Sequence, residues 1–205
     1  MADESKPVEQ SDLSDAVDYV RHVHQFNLDW YKNADTKAEI ILSLDGIFLT
    51  VVTAAIFMNQ ADLVGILKKF TNWTWFFLGL MSLSLAGSIL CTIACLWSRI
   101  SLSRRAKDKY FVERKIQVDK PETYPPEATF FFQEISWFDP ALYQKLLLSV
   151  DKKFVIRALA ADVHILASYV LKKHQLVDFG FLLAGASLLS FLALGISYLI
   201  AITGP

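Results

Sequence analysis

The chain has 205 residues, of which 54% are hydrophobic and 20% charged, and its mean hydropathy is +0.36. An apolar content this high is beyond that of an ordinary soluble domain, so the chain needs lipid, with its charge segregated into parts that stay in water. The net charge of −1 excludes the basic field that draws a protein to nucleic acid, and two cysteines, Cys91 and Cys95, four apart in an apolar run, exclude a disulfide scaffold.

Met1–Gln10 is acidic and polar and reads as a short disordered tail (1–10) rather than a secretory leader. Ser11 or Ser14 then offers an N-cap, and Asp12, Asp15 and Asp18 suit a helix N-terminus. The segment 11–38 carries a seam with alternating steps of four and three, through Leu13, Val17, Val20, His24, Asn27, Tyr31, Ala34, Ala38 and Ile41. It therefore predicts an amphipathic helix that packs on another helix. Neither proline nor glycine interrupts it before Gly46, so it is expected to run directly into a first transmembrane helix over 39–59.

A short connection, 60–72, reads as an external loop. The second span, 73–98, is flanked by Trp73, Trp75 and Trp97, aromatics suited to the membrane interface. The long segment 99–176 is the water-soluble helical part. Within it, Arg99–Lys115 reads as a basic helical extension that meets anionic headgroups, and Pro121, Pro125 and Pro126 break the chain. Phe130–Trp137 is a short aromatic element, and Asp139-Pro140 reads as an N-cap and N1 proline opening a helix over Pro140–Ser149. A second seam, Ile156, Leu159, Val163, Leu166, Val170, Lys173 and Val177, continues into the third span, 177–202.

The fold class expected is thus all-α: an integral membrane protein with three transmembrane helices and a helical cytoplasmic bundle continuous with spans one and three. Fourteen of the 20 lysines and arginines fall in the long segment and only Lys68 and Lys69 in the short connection. Positive segments stay inside, so the N-terminus is expected in the cytoplasm and the C-terminus outside.

Catalytic machinery is missing from the sequence: there is no phosphate-binding glycine loop, nucleophile elbow or HExxH, so no enzyme and no cofactor are expected. His22 and His24 point apart on a helix, His164 and His174 are ten apart, and the cysteines lack further ligands, so no metal is expected either. What stands out is polarity in apolar places. His24, Asn27, Tyr31 and Lys173 occupy seam positions, where they set register or line a polar pocket between helices. Such a pocket would use Arg21, Lys37 or Lys173 for an anionic group, Asn27 for a base edge, and Trp30 or Tyr31 for a ring. Asp45 lies inside the first span, where an ionised carboxylate is costly; it is expected to face protein or water, protonated or paired, as a pore-lining or latching group. Gly46 and Ser43 beside it would let helices approach closely, and Gly185 and Gly195, with Ala184, Ser187 and Ala193, would mark tight contacts on the third span.

Ala34-Asp35-Thr36-Lys37-Ala38, followed at once by the apolar run from Ile40 to Leu44, resembles the ADxKA signature that opens the Pycsar effector domain. The later order fits as well: a second span, Phe130 to Phe132, a helix holding Tyr143, and Tyr169 to Lys173 ahead of a last span. The resemblance extends from about Asp18 to Ile202, with Asp45 standing where that domain commonly has Asn. It implies a bacterial antiphage effector at the inner membrane that senses a cyclic pyrimidine mononucleotide, cUMP or cCMP, and impairs the membrane to halt the infected cell. On that view Asp35 joins Arg21, His24, Asn27, Tyr31, Lys37 and Lys173 as ligand-binding candidates, with Asp45 in gating. Three helices enclose no sizeable pore alone, so a homo-oligomer in the lipid bilayer is expected. The alternatives are a constitutive membrane-anchored interaction protein and a small ion channel without nucleotide control.

Overall fold

The computed structural model describes residues 6–58, 60–97, 112–114 and 135–203. In chain order the described helices are α1 (Lys6–Met58), α2 (Gln60–Lys68), α3 (Asn72–Leu96), α4 (Pro140–Leu148) and α5 (Lys152–Thr203). Every extended element among the described residues is an α-helix, and two of them, α3 and α5, are long and apolar enough to cross a membrane. The basic segment expected over Arg99–Lys115 and the aromatic element Phe130–Trp137 lie outside the described residues, apart from 112–114 and 135–137.

Each helix has a local cause. α1 starts at Lys6, ahead of the expected Ser11 or Ser14, and takes in part of the segment expected as a tail. Pro7 falls in its first turn, where the missing N–H costs nothing and the fixed φ suits the helix. The 60–72 connection is not a simple loop, because α2 occupies Gln60–Lys68. Its Ala, Leu, Ile and Lys are adequate helix formers, and Lys68 lies in its last turn, where a cation complements the helix dipole. Thr71 caps α3 in a capping box: its hydroxyl accepts from the Thr74 amide at 3.3 Å, and the Thr71 amide donates to the Thr74 hydroxyl at 3.4 Å. Asp139 caps α4 as its sequence predicts, accepting from Ala141 at 3.0 Å and Leu142 at 3.3 Å with Pro140 at N1. The Asp151 carboxylate accepts from the Phe154 amide at 2.6 Å and opens α5.

The chain divides into two units, Met1–Tyr31 with Ser98–Val170, and Lys32–Trp97 with Leu171–Pro205. In the first, Val17, Leu146, Ala158 and Leu159 are buried. The expected seam of α1 is legible there: Leu13, Val20, His24, Asn27 and Tyr31 are half-buried, whereas Asp15, Asp18, Tyr19, Arg21 and Gln25 are exposed.

The second unit packs the later part of α1, α3 and the later part of α5. Its core is Ala34, Ala38, Ile41, Cys95 and Val177, with Leu96, Leu176 and Ala184 against it. The two alanines, four apart and fully buried, let α1 lie close to its neighbours. The inward face of α3 is mostly small and polar, with Thr74, Ser84, Ser88, Thr92 and Cys95 buried beside Met81 and Leu85, while Trp73, Phe76, Leu83, Leu90 and Trp97 are exposed. This inverts the pattern of a soluble protein. In lipid, apolar side chains lose nothing by facing outward, so close packing and hydrogen bonds hold the helices together.

The close helix approach comes at other glycines than expected. A Cβ at Gly180 would sit 3.2 Å from the Thr92 Cγ2, tighter than an ordinary contact, and 3.7 Å from the Ser88 carbonyl oxygen, so the missing side chain eases the approach of α5 to α3 there. A Cβ at Gly46, Gly185 or Gly195 would meet nothing within 4 Å. Gly46 and Gly185 are exposed and Gly195 is half-buried, off the inward phase that α1 carries through Asp45 and α5 through Gly180 and Ser187.

Candidate functional site

The ADTKA stretch resolves into distinct physical tasks. Ala34 and Ala38 are the buried contacts of α1, and Asp35 forms an ion pair with Lys173 of α5. Thr36 is exposed and donates to the Lys32 carbonyl of its own helix at 3.1 Å. Lys37 is exposed and lines a groove. The Asp35 and Lys173 side chains are 29% and 14% exposed, so the pair is partly withdrawn from water. The Cys95 thiol donates to the Lys173 carbonyl at 3.8 Å, which brings α3 to the same point. Three helices therefore meet at one charged pair set in an apolar cluster. Removing either charge leaves the other partly buried and costs about 2–3 kcal/mol.

Deeper along α1, Asp45 is 4% exposed and belongs to the same inward stripe. Ser88 of α3, fully buried, donates to the Asp45 Oδ2 at 2.5 Å and to the Gly180 carbonyl of α5 at 3.0 Å. One hydroxyl hydrogen serves two acceptors, so a single serine ties all three helices. Two further bonds follow α3 against α5: the Thr74 and Ser197 hydroxyls are 3.0 Å apart, and Ser187 donates to the Met81 carbonyl at 3.2 Å.

The expected candidates thus fall into two groups. In the second unit, Asp35 and Lys173 are brought together as a pair, and Lys37 and Asp45 line one groove of about 700 Å³ between α1 and α5. In the first unit, His24 Nε2 lies 2.8 Å from the Asp162 Oδ2, with side chains 22% and 18% exposed. The Asn27 amide donates to the Val23 carbonyl of its own helix at 2.9 Å, which occupies part of the polarity expected for a base edge. Tyr31 is half-buried, and Trp30 meets Phe26 edge to face with centroids 6.0 Å apart. Arg21 lies on the exposed side of α1, beside Asp18 at 3.5 Å. Among the described residues no group of His, Cys, Asp and Glu is placed to hold a metal.

Sequence reasoning missed Ser88, Asp162, Gly180 and Asp178. The first had a signal: Ser84, Ser88 and Thr92 recur every fourth residue of a largely apolar span. Asp178 had one too, as a lone carboxylate at the start of the third span.

No curated protein and no solved structure matches the chain. The Pycsar effector protein domain matches residues 19–201, which is most of the sequence and includes the ADTKA stretch, α3 and nearly all of α5, and the chain belongs to that family.

Proposed function

We propose that this antiphage defence effector, which carries a transmembrane domain, senses a cyclic pyrimidine mononucleotide, cUMP or cCMP, and responds by impairing the bacterial inner membrane. The observation that carries the reading is the Asp35–Lys173 pair, set among Ala34, Ala38, Cys95 and Val177 where α1, α3 and α5 converge. A ligand phosphodiester competes chemically with the Asp35 carboxylate for the Lys173 ammonium. Loss of the pair removes a polar tie between α1 and α5 and favours a second packing of the spans. A ligand drives that change only by the difference between its affinities for the two packings.

The rest of the reading follows from the same residues. The segment 39–59, which α1 occupies as far as Met58, serves as a third span: Ile40, Leu44, Ile47, Leu49, Val51, Ile56 and Phe57 are all exposed, and lipid is the solvent that accepts them. The N-terminus lies in the cytoplasm and the C-terminus outside. The protein acts without catalysis or cofactor, and as a homo-oligomer, since three spans enclose no pore of their own.

The test is thermal unfolding of the detergent-purified chain with cUMP, cCMP, cAMP and cGMP. A pyrimidine ligand held by the folded state raises Tm, by an amount set by its concentration over its Kd. Lys173→Ala is expected to abolish that rise, whereas Asp35→Ala, which removes the competitor for the ammonium, is expected to enlarge it, each with the protein still inserted in the membrane. Equal shifts with all four nucleotides, or none with a folded protein, refute the reading.

A further inference from the structure

The groove between α1 and α5 has a shape and polarity of its own. Its wall on α1 runs from Lys37 to Phe48 and on α5 from Val177 to Leu188, about 16 Å on each helix at a rise of about 1.5 Å per residue. That is the depth of one leaflet, half of a hydrocarbon core of about 30 Å. The groove ends at Phe48, where the Phe191 ring meets it edge to face with centroids 5.3 Å apart. Ile40, Leu44, Phe181 and Leu188 line it and are exposed by more than half. At its mouth stand Lys37 and Asp178, both exposed, and no salt bridge joins either to a described residue. Asp45 in the wall is tied to Ser88, so these two are the exposed charges of the lining.

We propose that this groove is a binding site for one acyl chain of an amine-bearing, zwitterionic phospholipid, with the headgroup phosphate on Lys37 and the ammonium on Asp178. An apolar slot one leaflet deep, closed at its inner end and flanked at its mouth by one charge of each sign, matches the two ends of such a lipid. A helix from a second copy fits less well, because it would run the full span and would not stop at Phe48. The site also gives Asp178 a role: an exposed carboxylate at the edge of a span is costly until a cation meets it. The proposal rests on the reading of 39–59 as a membrane span; it shares Lys37 with the nucleotide-binding candidates, but its test uses no nucleotide.

The test uses the delipidated full-length chain in mild detergent, titrated with phosphatidylethanolamine or with phosphatidylglycerol of identical chains and followed by native mass spectrometry. One phosphatidylethanolamine per chain is expected to bind about 5-fold more tightly than phosphatidylglycerol, the value of about one favourable charge contact near a headgroup. Asp178→Asn erases that preference. Gly185→Leu, which grows into the groove from a position where a Cβ meets nothing within 4 Å, lowers binding about tenfold or more, whereas Gly195→Leu, equally open but outside the lining, does not. Absence of headgroup preference in the wild-type chain overturns the proposal, as does equal loss in the two glycine variants. A change in oligomer mass with Gly185→Leu, without loss of lipid, assigns the groove to a second copy. Protease protection of 39–59 in proteoliposomes is read in parallel. An accessible segment overturns both the span and the lipid site; a protected one with no lipid preference overturns the lipid site alone.

Discussion

Ser88→Ala removes one oxygen atom, and with it the donor shared by Asp45 and the Gly180 carbonyl. The volume lost is small, so the cavity contribution is minor and the effect is dominated by the lost bonds. A hydrogen bond to a charged group is worth about 1.5–3 kcal/mol in a water-soluble interior, whereas interhelical bonds in bilayers average about 0.6 and reach about 1.7, because the unfolded helices find other partners in lipid. Asp45 is 4% exposed, so little solvent replaces the lost donor, which places this case at the upper end of the membrane range, about 1–2 kcal/mol. Asp45→Asn keeps an acceptor oxygen opposite Ser88 and is expected to cost less than half as much. The assay is reversible unfolding in mixed micelles followed by tryptophan fluorescence, run on Ser88→Ala, Asp45→Ala and the double variant. The double-mutant cycle should yield a coupling of about 1 kcal/mol. A coupling within the roughly 0.3–0.5 kcal/mol scatter of independent sites would show that the 2.5 Å contact contributes nothing to holding α1 against α3.

Glycine substitutions on α5 should have opposite signs. Gly180→Ala forces a methyl to 3.2 Å from Thr92 Cγ2 and is expected to destabilise by about 1–3 kcal/mol, while Gly185→Ala meets nothing and should stabilise by up to about 1 kcal/mol through helix propensity; equal effects in thermal unfolding would refute the packing assignment. Asp139→Ala removes the acceptor of the Ala141 and Leu142 amides. It should cost about 1 kcal/mol and raise amide hydrogen exchange in the first turn of α4 while leaving α3 unchanged; uniform protection across α4 would show the cap to be redundant.

Long stretches of the molecule were legible because a physical rule acts at short range. The Asp139-Pro140 pair specifies a helix start whatever surrounds it, since a carboxylate reaches its own next amides and a proline needs no partner. The seams of α1 and α5 were legible because water on one side and protein on the other impose a period close to 3.5 on the polarity. The same rule reaches one step further than expected: Asp45 follows Ile41 by four residues, so its burial continues the seam rather than interrupting it.

α3 shows where that rule stops. It is apolar around most of its circumference, and in lipid an outward leucine is as well placed as an inward one, so its apolar residues do not mark its rotation and only the spacing of Ser84, Ser88 and Thr92 hints at it. Only the tertiary structure decided that Ser84, Ser88 and Thr92 face inward, and that Gly180 rather than Gly185 bears the close contact. Partner choice is likewise nonlocal. Lys173 is an obvious polar seam residue and Asp35 an obvious part of a motif, but their meeting across a separation of 138 residues depends on the register of two helices. Composition and spacing therefore determined that this chain is helical and needs a membrane; which face of each helix is inside, and which charges meet, was decided by packing among helices that lipid solvates equally well on every apolar side.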